Sequence, residues 1–145
     1  DYYFFPESYF DALRERLGGN LHLVTVTAPD GRVAAGSTFF ARNGLVQYHL
    51  GGCADEFMKL SASKLYVDFM RDWGKEHGCH TFHLGGGLGA GADSLFHFKA
   101  GFSATTAPFY TWRLIFDEER YDLLCSSKAS TDPASGYFPL YRATA

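Results

Sequence analysis

The sequence predicts an α/β fold built on one mixed sheet, and three observations lead to this fold class. Turn signals divide residues 21–50 into three consecutive strands. A strongly amphipathic helix follows them, with its apolar residues on one face. A further strand is predicted directly after that helix, at residues 79–84. An antiparallel meander that runs into a right-handed β-α-β crossover gives a sheet with both antiparallel and parallel pairs.

The first half of the chain predicts a helix and then the meander. Residues 6–17 favour a helix because Pro6 suits its first turn and apolar side chains recur on one face. Turn chemistry at residues 28–31 and the hairpin signal Asn43-Gly44 separate the strands that follow. These strands are predicted at residues 21–27, 33–40 and 45–50.

The second half predicts a long helix that begins near residues 59–60 and ends at Gly78. Its apolar face consists of Ala62, Leu65, Tyr66, Phe69, Met70 and Trp73. After the strand at residues 79–84, the pattern predicts a short helix from about residue 94, a long strand at residues 107–116 and helical turns at residues 117–124. A polar segment at residues 126–136 precedes an apolar tail, residues 137–142, that we expect to dock.

The change from antiparallel to parallel pairing predicts a ligand crevice. The two central strands can splay there, and ligands favour the carboxyl ends of strands at such points. We expect the crevice to be walled by residues 48–52, by the start of the long helix near Ser61 and by residues 84–87.

A glycine loop and a lysine follow the last strand of the crossover. The loop contains Gly85, Gly86, Gly87, Gly89 and Gly91, and Asp93 or Ser94 can cap the helix behind it. Lys99 is the one cation of that short helix and follows Phe98. This combination favours an anionic or acyl-bearing ligand. The alternatives are a flexible connector, a solvated lysine and a phenylalanine that serves only the core.

Composition narrows the classes of function. The chain has 145 residues, enough for one domain, and a net charge of −3, which disfavours binding to DNA or to anionic membranes. No apolar run approaches the roughly 20 residues that span a bilayer. Three scattered cysteines fit a reduced, cytoplasmic protein. The histidines and the cysteine of residues 77–83 lack zinc-ligand spacing, so we expect no metal site.

The segment HLGGG-x5-DSLFHFKAGFS resembles the signature of FemAB-type transferases, which are bacterial peptidoglycan-bridge aminoacyltransferases of the GNAT acyltransferase superfamily. The segments YYFFPESYFDAL, LVQYHLGG and GYFPLYR extend the resemblance over residues 2–142. It implies a GNAT-like fold and a single domain, residues 1–145, that is the second of two in tandem and packs against a preceding GNAT-like domain. It also implies transfer of an aminoacyl group from aminoacyl-tRNA to an amine on a peptidoglycan precursor in cell-wall biogenesis, without a bound cofactor.

The resemblance places Phe98 and Lys99 at the reaction centre. Lys99 is the predicted catalytic residue, because aminolysis of an acyl ester builds an oxyanion that a fixed cation stabilises. Between Tyr48 and His49, which alternate on a strand, we prefer Tyr48 for the crevice. No side chain is assigned as the base that deprotonates the amine. The predicted substrate-binding residues are Phe98, Gly85, Gly86, Gly87, Tyr48, Ser61 and Lys64, although a solvated polar face also explains Ser61 and Lys64.

Two alternatives stay open at this point. The first is an N-acetyltransferase that uses acetyl-CoA. Residues 53–65 favour it less, because they lack the glycine pattern that binds pyrophosphate in ordinary GNAT enzymes and carry Asp55 and Glu56, which would repel pyrophosphate. The second is a non-catalytic GNAT-like module that supports a partner domain. The net charge of −3, which suits tRNA poorly, favours this module.

Overall fold

A computed structural model describes residues 4–87, 91–127 and 136–143 of the chain. Two compact units are present, one up to Ala104 and the other from Thr105 onward. The first unit contains the sheet and the candidate site. Within the described ranges, no helix has the length and apolar character needed to cross a membrane.

The first unit is organised around a four-stranded mixed sheet, as the sequence predicts. Its strands are β1 (Leu21–Thr27), β2 (Val33–Arg42), β3 (Leu45–Cys53) and β4 (Thr81–His83), in the order β1-β2-β3-β4. The first three are antiparallel, whereas β3 and β4 are parallel. The predicted α/β fold class, with its meander and its β-α-β crossover, is therefore confirmed.

Helix α1 (Glu7–Leu17) precedes the sheet, and α2 (Ser63–Glu76) connects β3 to β4. The prediction that this long helix begins near residues 59–60 is wrong. A separate 3-10 helix, Asp55–Leu60, comes first, and Ser61 then adopts a φ of 54°. A right-handed helix cannot continue through a residue with positive φ, so α2 starts only after it.

The core lies between α2 and the sheet. Phe39, Val46 and Met70 are almost completely inaccessible, and Tyr66 and Val67 of the same helix face are buried with them. Burying side chains of this size contributes about 1.5–3 kcal/mol each, so this layer fixes how α2 sits on the strands. Helix α3 (Ser94–Ala100) follows β4.

The predicted strand at residues 107–116 is wrong. The structure has no strand there, and the side chains of Trp112 and Phe116 are about nine-tenths exposed, at 90% and 91%. The prediction came from β-branched and aromatic residues, but strand propensity mostly measures packing against neighbours. A strand forms only where the backbone can pair, and no strand of the described chain pairs with this segment.

The second unit contains helix α4 (Glu118–Ser126), where the sequence predicts helical turns. The apolar tail docks on it, as expected. The backbone N–H of Leu140 donates to the Tyr121 hydroxyl at 2.9 Å, and the Tyr121 ring stacks on Phe138 with centroids 6.0 Å apart. Most of the predicted polar segment before the tail, residues 128–135, lies outside the described residues.

Candidate active site

Strands β3 and β4 pair over only three residues each, and a cavity opens where the pairing ends. The last pair is Gln47 with His83. Beyond it, β3 continues to Cys53, while the chain after β4 turns at Gly85, whose φ is 75°. A cavity of about 620 Å³ is lined by residues 48–52 of β3, by Gly86 and Gly87 and by Lys99. It lies where the sequence predicts a crevice, but the start of α2 does not line it.

Lys99 is the one charged side chain among the described residues that line this cavity. Its Nζ donates a hydrogen bond to the Gly86 carbonyl at 2.8 Å and lies 5.4 Å from the centroid of the Tyr48 ring. Burial lowers the pKa of Lys99, and the Asp93 carboxylate partly opposes that change. The side chain is thus held as a partly desolvated cation against an aromatic face.

Helix α3 positions Lys99 through a cap and an anchor. The Asp93 carboxylate caps the helix by accepting a hydrogen bond from the Phe96 backbone N–H at 2.8 Å. Phe98 packs against the main core and meets the Phe102 ring edge-on, with centroids 5.3 Å apart. Phe98 is not among the residues that line the cavity, so in this structure it anchors the helix.

Glycine is favoured at two positions of the loop, at Gly85 by its positive φ and at Gly87 by close approach. A Cβ on Gly85 would lie 3.4 Å from the Lys99 Nζ, in a backbone conformation that L-residues rarely adopt. A Cβ on Gly87 would collide with the Gly91 carbonyl and the Asp93 carboxylate. The predicted loop residue Gly89 lies outside the described residues. Glycines therefore let the loop close tightly around the lysine and the helix cap.

Tyr48 belongs to a cluster of hydroxyl groups in the wall of the cavity. Its hydroxyl oxygen lies 3.4 Å from that of Tyr66, and the Ser37 hydroxyl donates to the Leu50 carbonyl at 2.8 Å. Burial, and then the contact with the Tyr66 hydroxyl, raise the pKa of Tyr48 well above its usual value. The phenol consequently stays neutral and offers Lys99 an uncharged ring face.

His49 also lines the cavity, which corrects the expectation that only one of the neighbours Tyr48 and His49 would do so. The register places Thr38 opposite Leu50 and Phe39 opposite Tyr48, so His49 is an extra residue without a partner on β2. Tyr48 contacts Phe39 and His49 contacts the next residue of β2, Phe40, so the two side chains still alternate around the β-bulge. Sequence periodicity alone gives no signal for it.

The imidazole of His49 is fixed by two aromatic residues. Its Nε2 lies 2.7 Å from the Tyr9 hydroxyl of α1, and its ring lies 4.6 Å from the Phe40 ring, with an interplanar angle of 32°. Burial lowers the pKa of His49 from its ordinary value of 6.5. The imidazole is therefore neutral at pH 7.

The structure does not bring Ser61 and Lys64 into the cavity. Both side chains are exposed, and neither lines it. The connection before α2 is wound into the 3-10 helix, whose Phe57 N–H donates to the Ala54 carbonyl at 2.9 Å. The residue before Phe57, Glu56, forms an ion pair with Arg32. This region thus uses backbone N–H groups internally and carries the acidic side chains Asp55 and Glu56.

The cavity combines an apolar lining with one cation and one neutral imidazole. Apolar side chains from three elements, Phe10, Leu23 and Leu95, complete its walls. A lysine N–H aimed at a polarised carbonyl can stabilise an oxyanion, most effectively where water is excluded. The arrangement suits a reaction at an acyl group.

Known proteins that this chain resembles include acetyltransferases. A family model described as an acetyltransferase (GNAT) domain matches residues 3–99. A solved mutant of the BH1408 protein from Bacillus halodurans has a TM-score of 0.59 at 13% identity, over 80% of this chain and 77% of that chain. The aminoglycoside antibiotic 6'-N-acetyltransferase AAC(6')-Ih from Acinetobacter baumannii has a TM-score of 0.57 at 14% identity, over 79% and 84%. A search of curated proteins found no match. At these identities the two structures establish a shared fold only.

Proposed function

The chain belongs to the acetyltransferase (GNAT) domain family, and from this premise we propose that its cavity transfers an aminoacyl group from an ester donor to an amine. Acyl transfer is the chemistry of the family. The aminoacyl donor is our proposal, in line with the FemAB-like segment that ends in Phe98 and Lys99.

One observation carries the proposal, namely the position of Lys99. Its Nζ is held against the Tyr48 ring and the Gly86 carbonyl beside the gap between β3 and β4. Attack of a neutral amine on an ester carbonyl moves an electron pair onto the carbonyl oxygen. A partly desolvated lysine N–H beside that oxygen stabilises the charge, and losing one such donor typically costs about 100- to 1,000-fold in rate.

The donor proposal rests on the connection between β3 and α2. A CoA thioester would need backbone N–H groups for its pyrophosphate, whereas here the Phe57 and Ser61 N–H groups donate within the connection itself. Asp55 and Glu56 are the acidic residues of this connection, and Glu56 is held in an ion pair with Arg32. These features favour a donor whose acyl group enters without a pyrophosphate at this position, as an aminoacyl-tRNA would.

The charge of the cavity indicates the class of acceptor. Among its described lining residues there is a lysine and no carboxylate. A polycationic amine would be repelled by Lys99 and would find no acidic partner, so the aminoglycoside named for the Acinetobacter baumannii enzyme fits poorly. We propose an amine that carries its own carboxylate, such as a lysine side chain in a peptidoglycan-precursor peptide. This proposal places the reaction in the cytoplasm and includes a preceding GNAT-like domain.

A second candidate is an N-acetyltransferase that uses acetyl-CoA. The description of the matching family, an acetyltransferase (GNAT) domain, favours it. The two candidates share the cavity and the role of Lys99 but differ in the donor.

Donor competition separates the candidates. The full-length protein is incubated with Nα-acetyl-L-lysine as acceptor and with alanyl-tRNA or acetyl-CoA as donor, and mass spectrometry identifies the product. We expect an alanylated product that requires alanyl-tRNA. An acetylated product alone would replace the first candidate with the second, and no product from either donor would reject both.

A further inference from the structure

The attacking amine must lose a proton, and the cavity contains one side chain that can accept it. Among the described residues that line the cavity, ionisable groups other than Lys99 are limited to Tyr48 and His49. The Tyr48 phenol is a poor base because it stays protonated far above neutral pH. His49 is therefore the remaining candidate, and its contacts define how it would act.

We propose that His49 is the general base of acyl transfer and that Tyr9 is its positioning residue, an inference that rests on the proposed function. His49 and Lys99 both line the cavity, and Lys99 lies against the ring of Tyr48, the neighbour of His49 on β3. The base and the oxyanion donor thus line the same space.

The contact with Tyr9 defines which nitrogen of His49 accepts the proton. The Nε2 atom is occupied by the Tyr9 hydroxyl at 2.7 Å. When Nε2 carries the hydrogen and donates it to the Tyr9 oxygen, the lone pair resides on Nδ1. That nitrogen is then the base, and the tyrosine fixes both tautomer and ring orientation, the role that a third group plays in nucleophile–base pairs.

The step balances without a further reactant. The amine nitrogen forms a bond to the carbonyl carbon, and the carbonyl electron pair moves to the oxygen beside Lys99. His49 takes the proton that the nitrogen releases. As the carbonyl re-forms, the bond from carbon to the leaving oxygen breaks, and the imidazolium returns the proton to that oxygen. The products are an amide and an alcohol.

The groups around His49 come from several elements. Tyr9 of α1 and Phe40 of β2 contact its ring, whereas Tyr48 of β3 and Lys99 of α3 line the same cavity. Only Lys99 is charged. Since burial disfavours the imidazolium, the free base is the dominant form at neutral pH.

His49→Gln tests the proposal, because the glutamine amide can keep a hydrogen bond to Tyr9 but cannot accept a proton. His83→Gln is the matched control, since His83 lies on β4 outside the cavity and bonds to Gln47. The assay uses Nα-acetyl-L-lysine with whichever of alanyl-tRNA and acetyl-CoA the unaltered protein accepts. We expect kcat to fall about 100-fold in His49→Gln and to be unchanged in His83→Gln.

The pH profile distinguishes a base from a structural residue. In the unaltered protein, kcat/KM should rise with pH through an apparent pKa below 6.5, and this limb should vanish in His49→Gln. Tyr9→Phe should retain the fold but change the tautomer ratio of His49, which nitrogen NMR of the imidazole measures directly. Circular dichroism checks that each variant folds.

Different results would reject the role of His49 and the proposed function. An active His49→Gln with an unchanged pH profile would overturn the role of His49 and leave the proposed function intact. A hydrogen on Nδ1 in the unaltered protein would overturn the assignment of Nδ1 as base. If the unaltered protein forms no product above the uncatalysed rate with either donor, the proposed function fails and the role of His49 fails with it.

Discussion

The Nζ atom of Lys99 lies 5.4 Å from the centroid of the Tyr48 ring. This contact joins α3 to the part of β3 that no longer pairs with β4, so the lysine marks the place where the sheet opens. A cation over an aromatic face gains about 0.5–2 kcal/mol, depending on its desolvation. The contact both fixes the lysine and keeps its charge beside the cavity.

Removing the Asp93 cap of α3 should lower the rate of transfer as well as the stability of the protein. Asp93→Ala removes the acceptor for the Phe96 N–H and should cost about 0.5–2 kcal/mol in unfolding free energy. Because α3 carries Lys99, the rate of transfer should fall as well. Urea unfolding and the transfer assay measure the two effects.

Asp117→Ala is the control for that variant, since Asp117 caps α4 in the second unit by accepting from the Arg120 N–H at 2.8 Å. It should cost a comparable amount of stability and leave transfer unchanged. If the two variants lower transfer equally, the cap of α3 has no special link to the site.

Alanine substitutions at two neighbouring glycines of β3 should change the unfolding free energy by different amounts. A Cβ on Gly51 would collide with the hydroxyl groups of Tyr48 and Tyr66, whereas a Cβ on Gly52 would meet nothing within 4 Å. We expect Gly51→Ala to lower the unfolding free energy by about 1–3 kcal/mol, because the packed hydroxyls must move. Gly52→Ala should stay within about 0.5 kcal/mol of the unaltered protein. Equal unfolding curves for the two variants would contradict the packing described here.

Stability should depend on the protonation of His49. Burial lowers its pKa in the folded state below the ordinary 6.5, so the unfolded chain binds the proton more readily. The contribution of neutral His49 to the unfolding free energy is therefore fully present above the pKa that His49 has in the unfolded chain. It is lost as the pH falls through the lowered pKa that His49 has in the folded protein. His49→Gln should flatten the fall in unfolding free energy that occurs as the pH drops below 6.5.

His22 provides the comparison for this measurement, because burial and the nearby His77 lower its pKa in the same direction. His22→Gln should remove its own share of the slope. An unchanged slope in His49→Gln would show that the imidazole is not desolvated in the folded protein.

Much of the fold could be predicted from local patterns. Asn43 and Gly44 have positive φ, as the hairpin signal requires. The predicted apolar face of α2 packs into the core through Tyr66 and Met70, but Leu65 and Phe69 of that face are more than half exposed. The predicted strand at residues 107–116 failed because pairing is a property of neighbours. The start of α2 failed because a left-handed Ser61 has no reliable sequence signal.

The candidate site could also be predicted in part from the sequence. The crevice, Lys99, Tyr48 and Gly86 follow from element order and motif, and the structure brings them together. Ser61 followed from the wrong helix start, whereas Lys64 lies in the first turn of α2, as predicted, but is exposed outside the cavity. His49 was missed because a bulge depends on the register between β2 and β3, which no single strand encodes.

The most direct test replaces Lys99. Lys99→Ala in the full-length protein should lower kcat for the accepted donor by about 100- to 1,000-fold, because the oxyanion loses its cation, while the circular dichroism spectrum stays unchanged. Lys75→Ala is the matched control, since Lys75 lies exposed in the last turn of α2, 3.9 Å from the Asp72 carboxylate. The control should retain full activity. Undiminished turnover by a folded Lys99→Ala protein would contradict the role of this cavity in catalysis.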